Sequence, residues 1–182
     1  MVGGFRAVNP MTSKDIEHVV ASFRQYLGIA KGKPINTLNL IERVLPDLLS
    51  DYTFCVLPDE DMPGMDGLTA TGGDLTIYLS ETTYVALCSG SLNAIITAAH
   101  ELGHLILHSQ QSPAFARRTH DDERVDPEWQ ADRFAEMWLM PRDGVERCRS
   151  ARHVAAKYGV TDEMAEKRFL EVKHIEIQGE LF

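Results

Sequence analysis

Apolar residues recur at helical spacing over most of this chain, with one interval of strand-like character in the middle. The run "SKDIEHVVASFRQYLG" puts Ile16, Val19, Val20, Phe23, Tyr26 and Leu27 on one side. That spacing predicts a helix with Ser13 as N-cap and Gly28 as its stop. After "KGKP", the stretch "NTLNLIERVLPDLL" predicts a shorter helix ending near Pro46. The runs "YTFCVLP" (52–58) and "LTIYLS" (75–80) are rich in β-branched and aromatic residues and bounded by Pro, Gly and Asp. They predict strands, with a further one near Leu68–Thr71 inside the turn-rich "DEDMPGMDGLTATGGD". A small antiparallel sheet is the economical arrangement.

The strongest helix follows at 91–108, with Leu92, Ile95, Ile96, Ala99, Leu102 and Ile106 on one side. A polar loop (109–125) leads to "DPEWQADRFAEMWLMP" (126–141). There Asp126 suits the N-cap, Pro127 suits the first helical position, and Met140-Pro141 ends the element. Its apolar face is Ala131, Phe134, Ala135, Trp138 and Leu139. The region 150–172 reads as a helix, a turn at Gly159 and a second helix, closed by a strand-like tail "KHIEI". Residues 1–12 carry two glycines, a proline and no periodicity, so a flexible tail followed by one domain over 13–182 is expected.

A chain of 182 residues that is 44% hydrophobic and 25% charged can bury a core without staples. The formal charge of -9 argues against a surface built to bind nucleic acid or anionic membranes. No stretch approaches the ~18 apolar residues of a membrane span. The start "MVGGFRAVNPMTSKD" lacks the layout of a signal peptide. Cys55, Cys88 and Cys148 are odd in number and form no CxxC pair. Together these features lead us to expect a cytoplasmic protein with free thiols.

The chemistry concentrates in "AAHELGHLILH" (98–108), where His100, Glu101 and His104 interrupt a run of small and apolar residues. Burying three such side chains is costly unless something holds them. Residues i and i+4 share a helix face about 6 Å apart, so His100 and His104 can converge on one Zn²⁺ at ~2.0–2.1 Å. Glu101, beside the first ligand, can then take a proton from water at the metal. A pair of structural histidines flanking a glutamate is the rival explanation, and it uses less of the motif.

A catalytic zinc site normally needs a third protein ligand. His108 extends the ladder, but it lies two turns, about 12 Å, from His100. It better suits a helix C-terminal histidine that meets the last carbonyls. His120 sits in the polar loop beside Asp121 and Asp122, where solvation is the plainer reading. Glu128 fits best: it opens the next helix, with Asp132 one turn on to accept the other N–H of a ligand histidine and fix its tautomer. Acidic residues also favour a helix N-terminus through its dipole, which is the simpler account of both. Glu136 continues the ladder away from the apolar face and is expected on the solvated surface.

"AAHELGHLILH" followed by "EWQADRFAEMWLMP" resembles the ImmA/IrrE family of metallopeptidase-like proteins. The matching residues are His100, Glu101, Gly103, His104 and His108, then Glu128, Ala131, Asp132, Phe134, Ala135, Leu139, Met140 and Pro141. The core of the likeness spans about 75–141, with a helical part (142–182) beyond it. The resemblance implies an α+β, zincin-like domain of gluzincin type, its small sheet packed on the HExxH helix. It also implies Zn²⁺ held by His100, His104 and Glu128, with Glu101 as general base. Some members act on helix-turn-helix repressor partners in mobile elements or phage, others regulate stress responses and some occur with toxin–antitoxin pairs, so a zinc endopeptidase with a protein partner is expected. Many relatives carry a DNA-binding domain of their own. Residues 1–74 show no convincing helix-turn-helix, which favours a separate DNA-binding partner over direct nucleic-acid contact. Lys157, Lys167 and Arg168 near the C-terminal turn could be a DNA-reading face, but the neighbouring Glu163, Glu166 and Glu171 favour two packing helices. The competing function is a zinc-containing regulatory or antitoxin-like module that cleaves nothing. A donor for the oxyanion is open among Tyr84, His120 and Tyr158.

Overall fold

The computed structural model describes residues 9–109 and 126–179, with side chains described as far as Lys173. In it, helix α1 (Ser13–Tyr26) is followed by a helical stretch whose turns change in width. Here α2 (Thr37–Asn39) runs into a π-helical turn (Leu40–Val44) and then α3 (Leu45–Leu48). Strand β1 (Tyr52–Leu57), a short 3₁₀ turn (Asp59–Asp61), β2 (Gly67–Ala70) and β3 (Leu75–Ser80) build the sheet. Helices α4 (Glu81–Cys88), α5 (Leu92–His108), α6 (Pro127–Leu139), α7 (Arg142–Val145), α8 (Ala151–Tyr158) and α9 (Asp162–Gly179) complete the α+β domain.

Several sequence expectations need correction. The N-cap of α1 is Thr12, not Ser13: its hydroxyl accepts from Asp15 N while the Asp15 carboxylate accepts from Thr12 N, a reciprocal capping box. Residues 9–12 are not a loose tail, because Met11 is buried and the Asn9 carbonyl accepts from Gln130. The second helix runs to Leu48, two residues past Pro46. The π turn before it bonds Leu45 N to Leu40 O, and Pro46 then sits at the start of α3, where its missing N–H costs least. Residues 173–177, expected as a strand-like tail, belong to α9. Helix α4 has no apolar face in the sequence, since only Thr83 and Leu87 of its side chains are buried.

The sheet is mixed rather than antiparallel. Its order is β1-β3-β2, with β1 parallel to β3 and β2 antiparallel to β3. The segment after β1 carries the chain to the far side, so β3 returns from β2 into the gap between them. As the central strand, β3 is buried on nearly every residue, including Thr76 and Ser80. The pairs Thr69↔Ile77 and Phe54↔Ile77 put these three residues on one sheet face. That face meets α5, since Thr69 bonds to Glu101.

The main core joins α1, the sheet, α5 and α6 around fully buried Ile16, Ile41, Ile77, Leu102, Phe134 and Trp138. Trp138 lies 5.5 Å from Phe23 and 5.9 Å from Phe134, and its indole N–H donates to Thr37 Oγ1. A second cluster under α7–α9 gathers Met140, Val145, Cys148, Val154, Ala165 and Val172. Charged side chains tie the two together. Fully buried Arg168 pairs with Glu17 and Glu171, Arg142 with Glu17, and Arg133 with Glu136 and Glu171. Lys167 pairs with Glu136, and Lys157 donates to the Gly144 carbonyl. The basic residues of α8 and α9 weighed as a DNA-reading face thus have intramolecular partners. No single described helix is long and apolar enough to cross a membrane.

Candidate metal centre

Two helices build the site, and a glycine sets their distance. Gly103, between the two histidines on α5, faces Ala131 of α6. A Cβ at Gly103 would lie 3.1 Å from both Ala131 Cα and Ala131 O, closer than an ordinary carbon contact of about 3.5–4.0 Å. This approach brings the first turn of α6 to the HExxH face. Asp126 caps α6 by accepting from Glu128 N, and Pro127 takes the first helical position.

Across that contact, three ligand atoms converge. His100 Nε2 and His104 Nε2 are 2.9 Å apart, and Glu128 reaches them at 3.3 Å through Oε2 and 3.4 Å through Oε1. Ligands at ~2.0–2.1 Å from a tetrahedral ion stand about 3.3 Å from one another, so the set has the spacing of a group that could hold a metal ion. The histidines are half-buried, while the Glu128 side chain is 60% exposed.

The outer nitrogens are engaged as well. His100 Nδ1 is 2.8 Å from Asp132 Oδ1, so it carries its proton there and leaves Nε2 as a lone pair facing the other ligands. His104 Nδ1 lies 3.0 Å from His108 Nδ1, whose Nε2 lies 3.1 Å from Gln130 Oε1. His108 therefore does not serve the terminal carbonyls of α5 as expected; it backs a candidate ligand. Burial, reinforced by His100, pushes His104 down to about 4, so its imidazole is neutral at neutral pH. Two ring nitrogens and a carboxylate brought this close suit a cation.

Glu101 is buried beside this group under strand β2. Its Oε2 accepts from Thr69 Oγ1 at 2.6 Å, and the same hydroxyl lies 3.0 Å from the Glu101 carbonyl. Gly67 leaves room for the carboxylate, since a Cβ there would fall 2.8 Å from Glu101 Cγ and Oε1. Burial raises the Glu101 carboxyl above the usual range. Thr69 and His100 pull it down, and Glu128 adds to the rise.

Residues 89–170 match the model of the M78 peptidase family, described as the IrrE N-terminal-like domain. That region of the chain is similar to this family. No curated protein matches it. The IrrE-like region contains both site helices, so the family likeness and the ligand geometry fall on the same residues. It makes this a metallopeptidase-type domain with a group of side chains that could hold a metal.

Two of the remaining sequence candidates are engaged elsewhere. Tyr84 donates to Glu42 at 2.9 Å and Tyr158 to the Gly32 carbonyl at 3.0 Å, so neither hydroxyl is committed to the metal group. His120, and the loop from 110 to 125, lie outside the described residues. Glu136 is not a solvated surface residue: its carboxylate is only 11% exposed between Arg133 and Lys167. Sequence reasoning missed Gly67, Thr69 and Gln130. Glycine in a strand hints at a close approach, but nothing local says what approaches.

Proposed function

We propose that this IrrE-like domain is a zinc-dependent endopeptidase that cleaves a regulatory protein, with a helix-turn-helix repressor as the leading class of substrate. The observation that carries the reading is the convergence of His100, His104 and Glu128 beside the buried carboxyl of Glu101. Two imidazoles and one carboxylate suit Zn²⁺ and leave a divalent ion with net positive charge. When bound, the ion supplies Lewis acidity toward a peptide carbonyl and toward water. Glu101 takes a proton from the attacking water and passes it to the departing amine. Burial supports that role by keeping its carboxyl closer to neutral pH than a solvated one. Asp132 holds His100 in the tautomer that presents Nε2.

The family resemblance supports a protein partner, and the chain's charge of -9 complements a basic DNA-binding protein. Cys55, Cys88 and Cys148 are free, which supports work in a reducing compartment such as the cytoplasm. The test is parallel capture of tagged wild-type and Glu101→Gln proteins from the native host, sized by mass spectrometry. Glu101→Gln is expected to hold an intact partner that wild type yields as fragments, at equal metal content. If both hold the same intact partner, at rest and under induction, the domain is a non-cleaving zinc-containing regulatory or antitoxin-like module instead.

A further inference from the structure

The two candidate ligand histidines are held from behind in different ways. His100 has a carboxylate at Nδ1. His104 has a second imidazole, then an amide, then a main-chain carbonyl: His108, Gln130 and Asn9 at successive distances of 3.0, 3.1 and 3.0 Å. Each of these groups except the last can present either a proton or a lone pair, so the pairwise distances alone leave the polarity open.

The last member decides it. A main-chain carbonyl only accepts. Gln130 must therefore turn its NH₂ toward Asn9 O, which aims its oxygen at His108 Nε2. That oxygen also only accepts, so His108 carries its proton on Nε2 and keeps a lone pair on Nδ1. His104 must then donate from Nδ1, and its own lone pair stands on Nε2, 2.9 Å from His100 Nε2 and 3.4 Å from Glu128. The reverse polarity would set the Gln130 oxygen against the Asn9 oxygen and protonate the nitrogen that faces the other ligands. Gln130 is fully buried, so water cannot rescue that arrangement.

We infer that His108 and Gln130 are positioning residues: anchored on the Asn9 carbonyl, they fix His104 in the tautomer that can bind a metal through Nε2. The inference deepens the metal-centre reading and rests on it. It gives the segment before α1 a part in the site, although that segment lies far from the HExxH helix in sequence.

The test uses the full chain and reads metal affinity and tautomer, not cleavage. Zinc affinity is measured by competition with a chromophoric chelator, and imidazole tautomers by two-bond ¹H–¹⁵N spectra of metal-free protein. His108→Ala and Gln130→Met are each expected to weaken zinc binding about 10–100-fold, as loss of an outer hydrogen-bond partner does. Both should release His104 into a mixture of tautomers. His108→Asn, whose Oδ1 replaces the Nδ1 acceptor, should restore the Nδ1-protonated form of His104 and most of the affinity. A merely structural role would lower thermal stability without moving the tautomer. Should His108→Ala fail to fold, Gln130→Met and His108→Asn decide the matter. Wild-type affinity and a single His104 tautomer in Gln130→Met would overturn the inference. A wild-type protein that binds zinc and shows this tautomer but cuts nothing would overturn only the peptidase reading.

Discussion

Gly103→Ala is the most direct probe of how the fold sets the site. In an unconstrained helix the change would stabilise by about 0.5–1 kcal/mol, because alanine loses less backbone freedom on folding. Here the new Cβ would lie 3.1 Å from Ala131 Cα and O and 3.2 Å from Phe134 Cβ. Two of those three atoms are main chain and Phe134 is fully buried, so relief requires α6 to back away by several tenths of an ångström. Overpacking of this kind costs about 1–3 kcal/mol, which outweighs the helical gain and leaves a net loss near 1 kcal/mol. For a chain of this size that is a fall in Tm of about 2–4 °C. Glu128 sits one turn before Ala131, so the same movement draws its carboxylate from the 3.3 and 3.4 Å it keeps to the two histidines. Metal sites tolerate about 0.2 Å in ligand distance, so zinc affinity should fall by about tenfold or more. Thermal unfolding of the metal-free chain and a chelator competition read the two effects separately. A variant that melts higher than wild type and binds zinc equally well would refute the claim that this contact sets the ligand spacing.

Glu128→Ala should weaken zinc binding far more than it lowers the Tm of the metal-free chain, since the side chain is mostly exposed; equal zinc affinity would remove it from the ligand set. Thr69→Val keeps the shape and removes the hydroxyl that lowers the Glu101 carboxyl, so the acid limb of kcat/KM should move to higher pH at unchanged zinc affinity. An unmoved limb would show that Thr69 does not act on the base. Burial alone would raise Glu171, but Arg168 and Arg133 outweigh it and hold the carboxyl below its usual 4.5. Its stabilising contribution is present above pH 4.5 and lost as pH falls through the lower folded value. Glu171→Gln should therefore flatten the acid side of the stability–pH curve, and an unchanged slope would contradict the pairing.

What could be read from the sequence is what depends on near neighbours in the chain. The HExxH spacing is one helical turn, and the start of α6 is marked by Asp126 and Pro127, so both site helices stood out. Glu128 and Asp132 followed because they border the same apolar face. Parallel pairing of β1 with β3 depends on where the chain crosses the sheet, which no local pattern encodes. The seat of Glu101 was hidden for the same reason, as Gly67 and Thr69 matter only once β2 lies on α5. Glu136 and Arg168 look like surface charges by composition, yet Glu136 is largely covered and Arg168 fully buried, each with a partner from another helix. The place of His108 depends on Gln130 of the next helix, which no spacing within α5 reveals.

The ligand group takes two residues from α5 and one from α6, and that division has a consequence for the protein's lifetime. An ion gripped by both helices is also a strap between them, and it binds the folded chain, where the three ligands converge, in preference to the unfolded one. By mass action, free zinc at a hundred times its dissociation constant would add about 2.7 kcal/mol to stability. The supply of metal would then govern how long the protein survives as well as whether it works. If the site holds zinc as proposed, a cell short of it would lose the strap first, and the folded protein would become scarce.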